Sequence, residues 1–294
     1  MEATRLIRRV TTLSVAGNVF LAVLKLLAGL FGGSAALVTD AIHSVSDVAA
    51  SLIAFIGVRL SRKAPDREHP YGHDRYECVA SLALSLLLCA TGLGAGYKAV
   101  TLILGDASAA GQTPKAAALI AAGTAILVKE GLFRFTRRTA EILNVTALRA
   151  DAWHHRADAL ASVGSLVGIG GAMLGVRVLD PVMSVGIAVL ILRVALGIGR
   201  DALAQLTDTA CDDETEDALR EKILAAEGVA AVSRLLTRRF GGRVCVEAAI
   251  VTDAASTGQE PAKTAQRVRA MLLRDFSTIA YAAVYAVLPD DGTE

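Results

Sequence analysis

A histidine–aspartate pair occurs twice in this chain, as His43-x-x-x-Asp47 and His154-x-x-x-Asp158. In a helix, residues four apart lie on the same face, one turn from each other. Two such helices facing each other would bring two imidazoles and two carboxylates to one point. This set of side chains suits a tetrahedral divalent metal ion, zinc above all. The repetition therefore predicts a metal site built from two helices.

The charges of this set suggest how an ion could be exchanged. Two neutral imidazoles and two carboxylates carry two negative charges, which cancel one divalent cation. An emptied site would hold two uncompensated carboxylates, which is costly away from water. We therefore expect it to take up protons when metal leaves. Asp40, Asp151 and His155 lie close to the two motifs and are candidates for a supporting role.

The elements that carry these motifs are long and apolar. The chain has 294 residues, of which 53% are hydrophobic, and a mean hydropathy of +0.49, which is too apolar for an ordinary soluble protein. A span needs about 20 mostly apolar residues. Ionisable side chains within such spans mark a functional site by default. Six stretches qualify as transmembrane helices, approximately Val10–Phe31, Ala35–Leu60, Cys78–Leu104, Lys115–Phe135, Val145–Leu174 and Pro181–Arg200.

The basic residues predict the orientation of these spans. Arginine and lysine concentrate at the N-terminus and in the second-to-third and fourth-to-fifth connections, and such loops face the cytoplasm. Both termini should therefore be cytoplasmic. A net charge of +1 gives no electrostatic case for a nucleic-acid partner. The four cysteines form no CxxC pair, so we expect free thiols.

The C-terminal part of the chain is predicted to be a separate cytoplasmic unit. Hydropathy falls from about Leu206, and the pattern indicates helix, two strands around Gly241-Gly242, helix and strand. This αββαβ order is consistent with a small ferredoxin-like α+β domain. We therefore predict an α-helical membrane domain of six transmembrane helices over residues 1–205, followed by a cytoplasmic domain over residues 206–294.

A second group of possible ligands lies between the second and third spans. Asp66, His69 and His73 fall within a short polar segment, with two histidines four residues apart. Such a group could bind a second cation, although histidines in polar loops are more often simply solvated. From the residues alone, both interpretations stay open.

The motifs together resemble those of the cation diffusion facilitators. The resemblance rests on Ala-Leu-Val-Thr-Asp40-Ala-Ile-His43-Ser-Val-Ser-Asp47, on His69-Pro-Tyr-Gly-His73 and on the segment Arg149–Asp158. It covers the whole chain, including the number of spans and the size of the C-terminal unit. It implies a homodimer, without a cofactor, that exports divalent metal by alternating access with proton exchange.

The resemblance also implies roles for individual residues. His43, Asp47, His154 and Asp158 would form the transport site, with zinc preferred and cobalt and ferrous iron next. Asp66, His69 and His73 would form the loop site. Arg75 matches a basic residue that in some members pairs with an acid after the last span, here Asp208. The absence of a histidine-rich loop between the fourth and fifth spans favours a bacterial type in the inner membrane.

The chain departs from the family pattern in its C-terminal domain. Many members bind metal there through histidines, but this chain has no histidine after His155. Ser233 and Ala249 stand about where such ligands are expected. We therefore predict a domain that dimerises without a full binuclear metal site.

Two functions of other classes compete with export. One is a membrane-embedded metallohydrolase, which would need an open coordination position and a substrate pocket. The other is a non-transporting member of the family that stabilises or regulates a partner transporter. The first lacks a nucleophile or oxyanion motif, and the second would not need an intact ligand set.

Overall fold

The computed structural model describes residues 2–32, 35–104, 116–173, 179–240, 242–252 and 259–287. Within them the chain forms two compact units, Met1–Leu203 and Ala204–Glu294. The first unit consists of long helices. These are α1 (Glu2–Gly32), α2 (Ala35–Ser61), α3 (Arg75–Leu104), α4 (Ala116–Leu143), α5 (Thr146–Met173) and α6 (Leu179–Leu206), whose last turn extends into the second unit.

The helices of the first unit pack through small side chains. Ala50, Ala54 and Ala157 lie in a buried cluster shared by α2, α3, α5 and α6. At Gly57 of α2, an added Cβ would lie 2.2 Å from the Cβ of Ala80 on α3, so these two backbones touch. Close approach through small residues is how helices pack in a membrane, where burying leucine gains nothing.

Large apolar side chains of the first unit point outward instead. They cover α1 and α3 and would be unusual on the surface of a soluble monomer. They include Leu13, Phe20, Val23, Leu30, Phe31, Leu86, Leu93 and Tyr97. By length and apolar composition, two helices of the described residues qualify as candidate spans, over Arg5–Leu27 and Arg75–Thr101. The six-span arrangement stays a prediction.

A tight connection joins α4 to α5. Asn144 follows α4 with φ 50°, the left-handed conformation that ends many helices and that asparagine tolerates. The backbone N–H of Val145 then donates to the carbonyl of Ala140 at 3.0 Å, which closes the end of α4. Since α5 begins at Thr146, the two helices run antiparallel side by side. This hairpin sets which residues of α4 face the second histidine–aspartate motif.

The second unit has the order α7, β1, β2, α8, β3. Its elements are α7 (Asp213–Leu224), β1 (Val229–Phe240), β2 (Arg243–Thr252), α8 (Glu260–Asp275) and β3 (Ile279–Val287). Strand β2 lies in the middle, antiparallel to β1 and parallel to β3, and α8 makes the crossover between β2 and β3. Buried residues of both helices and of β2 form its core, including Leu219, Ile223, Val246, Ile250, Val268 and Leu272. The unit is therefore an α+β domain with a small mixed sheet.

Candidate functional site

The two helical motifs meet inside the first unit. Asp47 of α2 lies beside His154 and Asp158 of α5, and one ligand atom from each residue falls within 4.8 Å of the others. The Nε2 of His154 is 3.3 Å from Oδ1 of Asp47 and 3.9 Å from Oδ2 of Asp158. Atoms bound tetrahedrally to zinc at about 2 Å are roughly 3.3 Å apart, so small movements of these side chains would close the set around an ion.

The site is almost completely removed from solvent. Asp47 is 1% exposed and His154 is 2% exposed. The Nδ1 of His154 has no hydrogen-bond partner among the described residues. A buried carboxylate needs a cation beside it, and a buried imidazole nitrogen needs a hydrogen bond or a bound cation. The chemistry available here is therefore cation binding by nitrogen and oxygen ligands.

The fourth predicted ligand can be placed only in part. His43 lies on α2, one turn before Asp47, but its side chain lies outside the described residues. The same holds for the side chain of Asp40. Their assignments as ligand and supporting residue therefore stay predictions.

A lysine that the sequence reasoning missed lies at the centre of this site. The ammonium of Lys129, on α4, donates to Oδ2 of Asp47 at 2.6 Å and to Oδ2 of Asp158 at 2.7 Å. Its side chain is only 2% exposed. The expectation that an emptied site holds two uncompensated carboxylates is therefore wrong, because a buried cation already partners both. The charge count from the two motifs considered only α2 and α5, and so it left out Lys129 of α4.

A sequence signal for Lys129 did exist. It lies 15 residues before Asn144, and Asp158 lies 14 residues after it. In an antiparallel helix pair with a tight connection, residues equally far from the turn lie at the same height, since each residue rises about 1.5 Å. Recognising the α4–α5 hairpin would have placed Lys129 level with Asp158. The predicted span over Lys115–Phe135 includes Lys129, Glu130 and Arg134, and no spacing within it marks Lys129 as different from the other two charges.

Asp151 and His155, two further polar residues of α5, form a second network. Asp151 accepts a hydrogen bond from the hydroxyl of Ser51 at 3.1 Å. The Nε2 of His155 lies 3.2 Å from the hydroxyl of Ser14 and 3.7 Å from Oδ2 of Asp151. These contacts join α1, α2 and α5 beside the ligand-bearing turn of α5. They are compatible with a supporting role, which stays a prediction.

Two further contacts fix the position of α5. Oε1 of Glu77, at the start of α3, accepts the backbone N–H of Thr146 at 2.5 Å. A carboxylate at a helix N-terminus satisfies a free donor and complements the helix dipole. Next to Lys129, Glu130 pairs with Arg156 of α5. The start of α5 is therefore tied to α3, and its register against α4 is held at the level of the site.

The loop residues also come together. One ligand atom from each of Asp66, His69 and His73 falls within 4.8 Å of the others. The His69 and His73 rings lie 4.3 Å apart, between centroids. Oδ1 of Asp66 accepts the backbone N–H groups of Glu68 and His69, which folds the segment into a turn.

The loop group has a lysine of its own. The ammonium of Lys63 donates to Oδ2 of Asp66 at 2.6 Å, and its side chain is 59% exposed. This hydrogen bond, with the backbone N–H of His69, holds the pKa of the Asp66 carboxyl well below its usual range. Asp66 is therefore an anion at neutral pH and is available as an oxygen ligand.

The suggested Arg75–Asp208 pair joins residues of different units, so it stays a prediction. Arg75 begins α3 of the first unit. Asp208, in the second unit, has φ 57° and lies 3.9 Å from Nη1 of Arg238, measured from its Oδ1. Within the second unit, Arg238 therefore lies close enough to pair with Asp208.

The second unit offers no third group of metal-binding side chains among its described residues. Ala249 and Cys245 lie on β2 and are buried. Asp253 and Asp290, two acidic residues of the C-terminal part of the sequence, lie outside the described part of the chain. Whether the domain lacks a metal site therefore stays a prediction.

Comparison with protein families matches both units of the chain. Residues 11–207 match the cation efflux transmembrane domain. Residues 211–284 match the cytoplasmic domain of cation efflux proteins. The first match alone covers about two thirds of the chain.

Curated proteins of several organisms are similar over most of the chain. Metal tolerance protein C1 of Arabidopsis thaliana is 35% identical over 83% of this chain and 55% of its own length. This chain therefore spans little more than half of that plant protein. The manganese efflux system protein MneS of Bacillus subtilis is 33% identical, over 82% of each chain. The uncharacterized transporter YdbO of the same organism is 31% identical, over 95% of this chain and 94% of its own.

Proposed function

Because this chain belongs to the cation efflux family, also called the cation diffusion facilitators, we propose that it exports a divalent metal ion from the cytoplasm in exchange for protons. The family consists of membrane-embedded metal transporters with a cytoplasmic domain. The metal is therefore the transported substrate rather than a cofactor, and the protein is not an enzyme. The direction of transport, the proton coupling and the choice of metal are our proposals.

The convergence of Asp47, His154 and Asp158 carries this proposal. Three side chains of ligand type meet between helices that pack through small residues, out of contact with solvent. Such a cluster is costly to maintain without a cation, and the oxygen atoms that accept from the Lys129 ammonium are of the type that binds a metal ion. We assign it, together with His43, as the transport site. Asp66, His69 and His73 form the second, loop site in this proposal.

Zinc is the metal that we favour, with cobalt and ferrous iron next. Imidazole and carboxylate together suit these ions, whereas sites made only of oxygen ligands suit manganese and magnesium. MneS is described as a manganese efflux protein, so manganese belongs in any set of tested ions.

Membership of this family also supports a proposal for the wider arrangement. We propose six transmembrane helices over residues 1–205 and a cytoplasmic domain over residues 206–294 that contributes to a homodimer. Both termini face the cytoplasm, and the protein lies in a bacterial inner membrane. Arg75 and Asp208 would then connect the two domains.

The test is zinc uptake into proteoliposomes that contain the purified full chain, with and without a pH gradient. The control is the double variant Asp47→Ala/Asp158→Ala. We expect flux that follows the gradient and disappears in the control. Flux indifferent to the gradient would refute proton coupling. No flux of zinc, cobalt, iron or manganese, from folded protein that still binds metal, would instead favour a regulatory or partner-dependent role.

A further inference from the structure

We propose that Lys129 is a built-in competitor of the metal ion: its ammonium occupies the transport site between Asp47 and Asp158 when metal is absent, and is displaced when metal binds. This inference rests on the proposed function, since it takes these carboxylates to be the transport ligands. It assigns a role to a residue that contributes no ligand atom.

Lys129 and a metal ion would use the same oxygen atoms. The ammonium lies 2.6 and 2.7 Å from the Oδ2 atoms of Asp47 and Asp158. A zinc ion bound to those oxygens would lie about 2.0–2.2 Å from each. An ammonium and a divalent ion held by the same two atoms would be within a few ångströms of each other and would repel strongly. The two cations therefore exclude each other from this position.

A lysine is suited to leave the site and return. Its charge lies at the end of a flexible four-carbon stem, and it binds as a point charge rather than through a rigid planar fork. The backbone at its base is fixed by the α4–α5 hairpin and by the neighbouring Glu130–Arg156 pair. The ammonium can thus move while its point of attachment remains in register with Asp158.

The exchange also solves the charge problem of metal release. Two buried carboxylates without a cation are costly. An ammonium that returns as the ion departs would compensate them at once and would oppose rebinding of the same ion. Lys129 would therefore lower the equilibrium affinity for metal and speed its release.

Two substitutions at this position should shift metal affinity in opposite directions. Lys129→Gln removes the competing charge, so zinc should bind more tightly by roughly tenfold or more, the scale on which neighbouring groups tune metal sites. Lys129→Arg replaces the ammonium with a fork that holds carboxylates through two hydrogen bonds, so zinc affinity should fall by a similar factor. A lysine that only supported the ligands would give weaker binding in both variants.

The experiment is calorimetric titration of the full-length protein in detergent with zinc alone, in an Asp66→Ala background that disables the loop site. Lys25→Gln is the matched control, because Lys25 is also a buried lysine of the first unit and donates to Ser44 at 3.1 Å. We expect that control to change zinc affinity much less than Lys129→Gln does, because the hydroxyl of Ser44 is not a ligand carboxylate of the transport site. An equal rise in affinity for Lys25→Gln and Lys129→Gln would overturn the proposal.

Zinc transport by the same variants gives a second measurement. Lys129→Gln should lower KM and also lower kcat, because the ion binds tightly and leaves slowly. Unchanged or weaker zinc binding by Lys129→Gln would refute the competitor role. If only Lys129→Arg folds, unchanged or tighter zinc binding by that variant would refute it. If Asp158→Ala in the same background leaves the number of bound zinc ions and their affinity unchanged, the transport-site assignment itself is refuted. The two failures are therefore distinguishable.

Discussion

The buried site and the loop site are built from the same chemical parts in opposite surroundings. Each combines aspartate with histidine, and in each a lysine binds a ligand carboxylate at 2.6 Å. The side chain of Lys129 is 2% exposed, whereas that of Lys63 is 59% exposed. Water can replace Lys63 at little cost. The ammonium of Lys129 is instead shielded from solvent and contacts two carboxylates.

This difference indicates that the same ion pair has different consequences at the two sites. An exposed ion pair contributes about 0–1 kcal/mol, since solvent screens it. Breaking a buried pair by removing one partner typically costs about 3–5 kcal/mol, because the remaining charge is left uncompensated. We therefore expect the cation at the buried site to control metal binding and the cation at the loop site to have little effect.

The largest expected effect comes from removing one carboxylate from the buried site, compared with the same change in the loop site. Asp158→Ala should reduce zinc transport by roughly 100-fold or more, because the site loses a ligand and a compensating charge. Asp66→Ala, the matched change in the loop, should reduce it by less than about tenfold. Initial rates in proteoliposomes provide the measurement. Full activity of Asp158→Ala would show that the buried carboxylates are not the transport ligands.

A change of ligand type tests which site sets selectivity. His43→Asp should shift preference towards manganese by about tenfold, because replacing one imidazole with a carboxylate makes the ligand set harder. His69→Asp in the loop is the matched control and should leave the order of preference unchanged. Competition between zinc and manganese during uptake measures both. A shift in the loop variant alone would reverse the assignment of the selective site.

The exposed lysine should matter much less than the buried one. Lys63→Gln should change zinc affinity of the loop site by less than about fivefold, as expected for a screened pair. The measurement is zinc titration in an Asp158→Ala background, which leaves only the loop ligands. A change as large as that expected for Lys129→Gln would mean that burial does not explain the contrast.

The smallest expected effect concerns the C-terminal domain. A full-length variant with both sites disabled, Asp158→Ala with His69→Ala and His73→Ala, should bind no zinc stoichiometrically at micromolar concentration. The reason is that the sequence contains no histidine after His155, so the second unit has no imidazole ligand to offer. Equilibrium dialysis followed by metal analysis provides the measurement. One zinc ion bound per chain would reveal a third site, formed from carboxylates or thiols.

Much of the site could be predicted because it depends on local spacing. The four-residue interval in His154-x-x-x-Asp158 fixes both side chains on one face of any helix that contains them. The interval between His69 and His73 only placed two imidazoles in one short polar segment, and the fold of that segment brings their rings within 4.3 Å. The family match then confirmed the membership that these motifs indicated. The structure adds that Asp47 and His154, 107 residues apart, face each other.

By itself, the sequence determined the ligand types, the long apolar helices and the order of elements in the second unit. These follow from periodicity and composition, which are properties of neighbouring residues. Only the tertiary structure decided that Lys129 occupies the space between Asp47 and Asp158. Three helices contribute to that contact, and its existence depends on the register of α4 against α5. Register is set by the left-handed turn at Asn144 and by packing between distant residues, so no single motif encodes it.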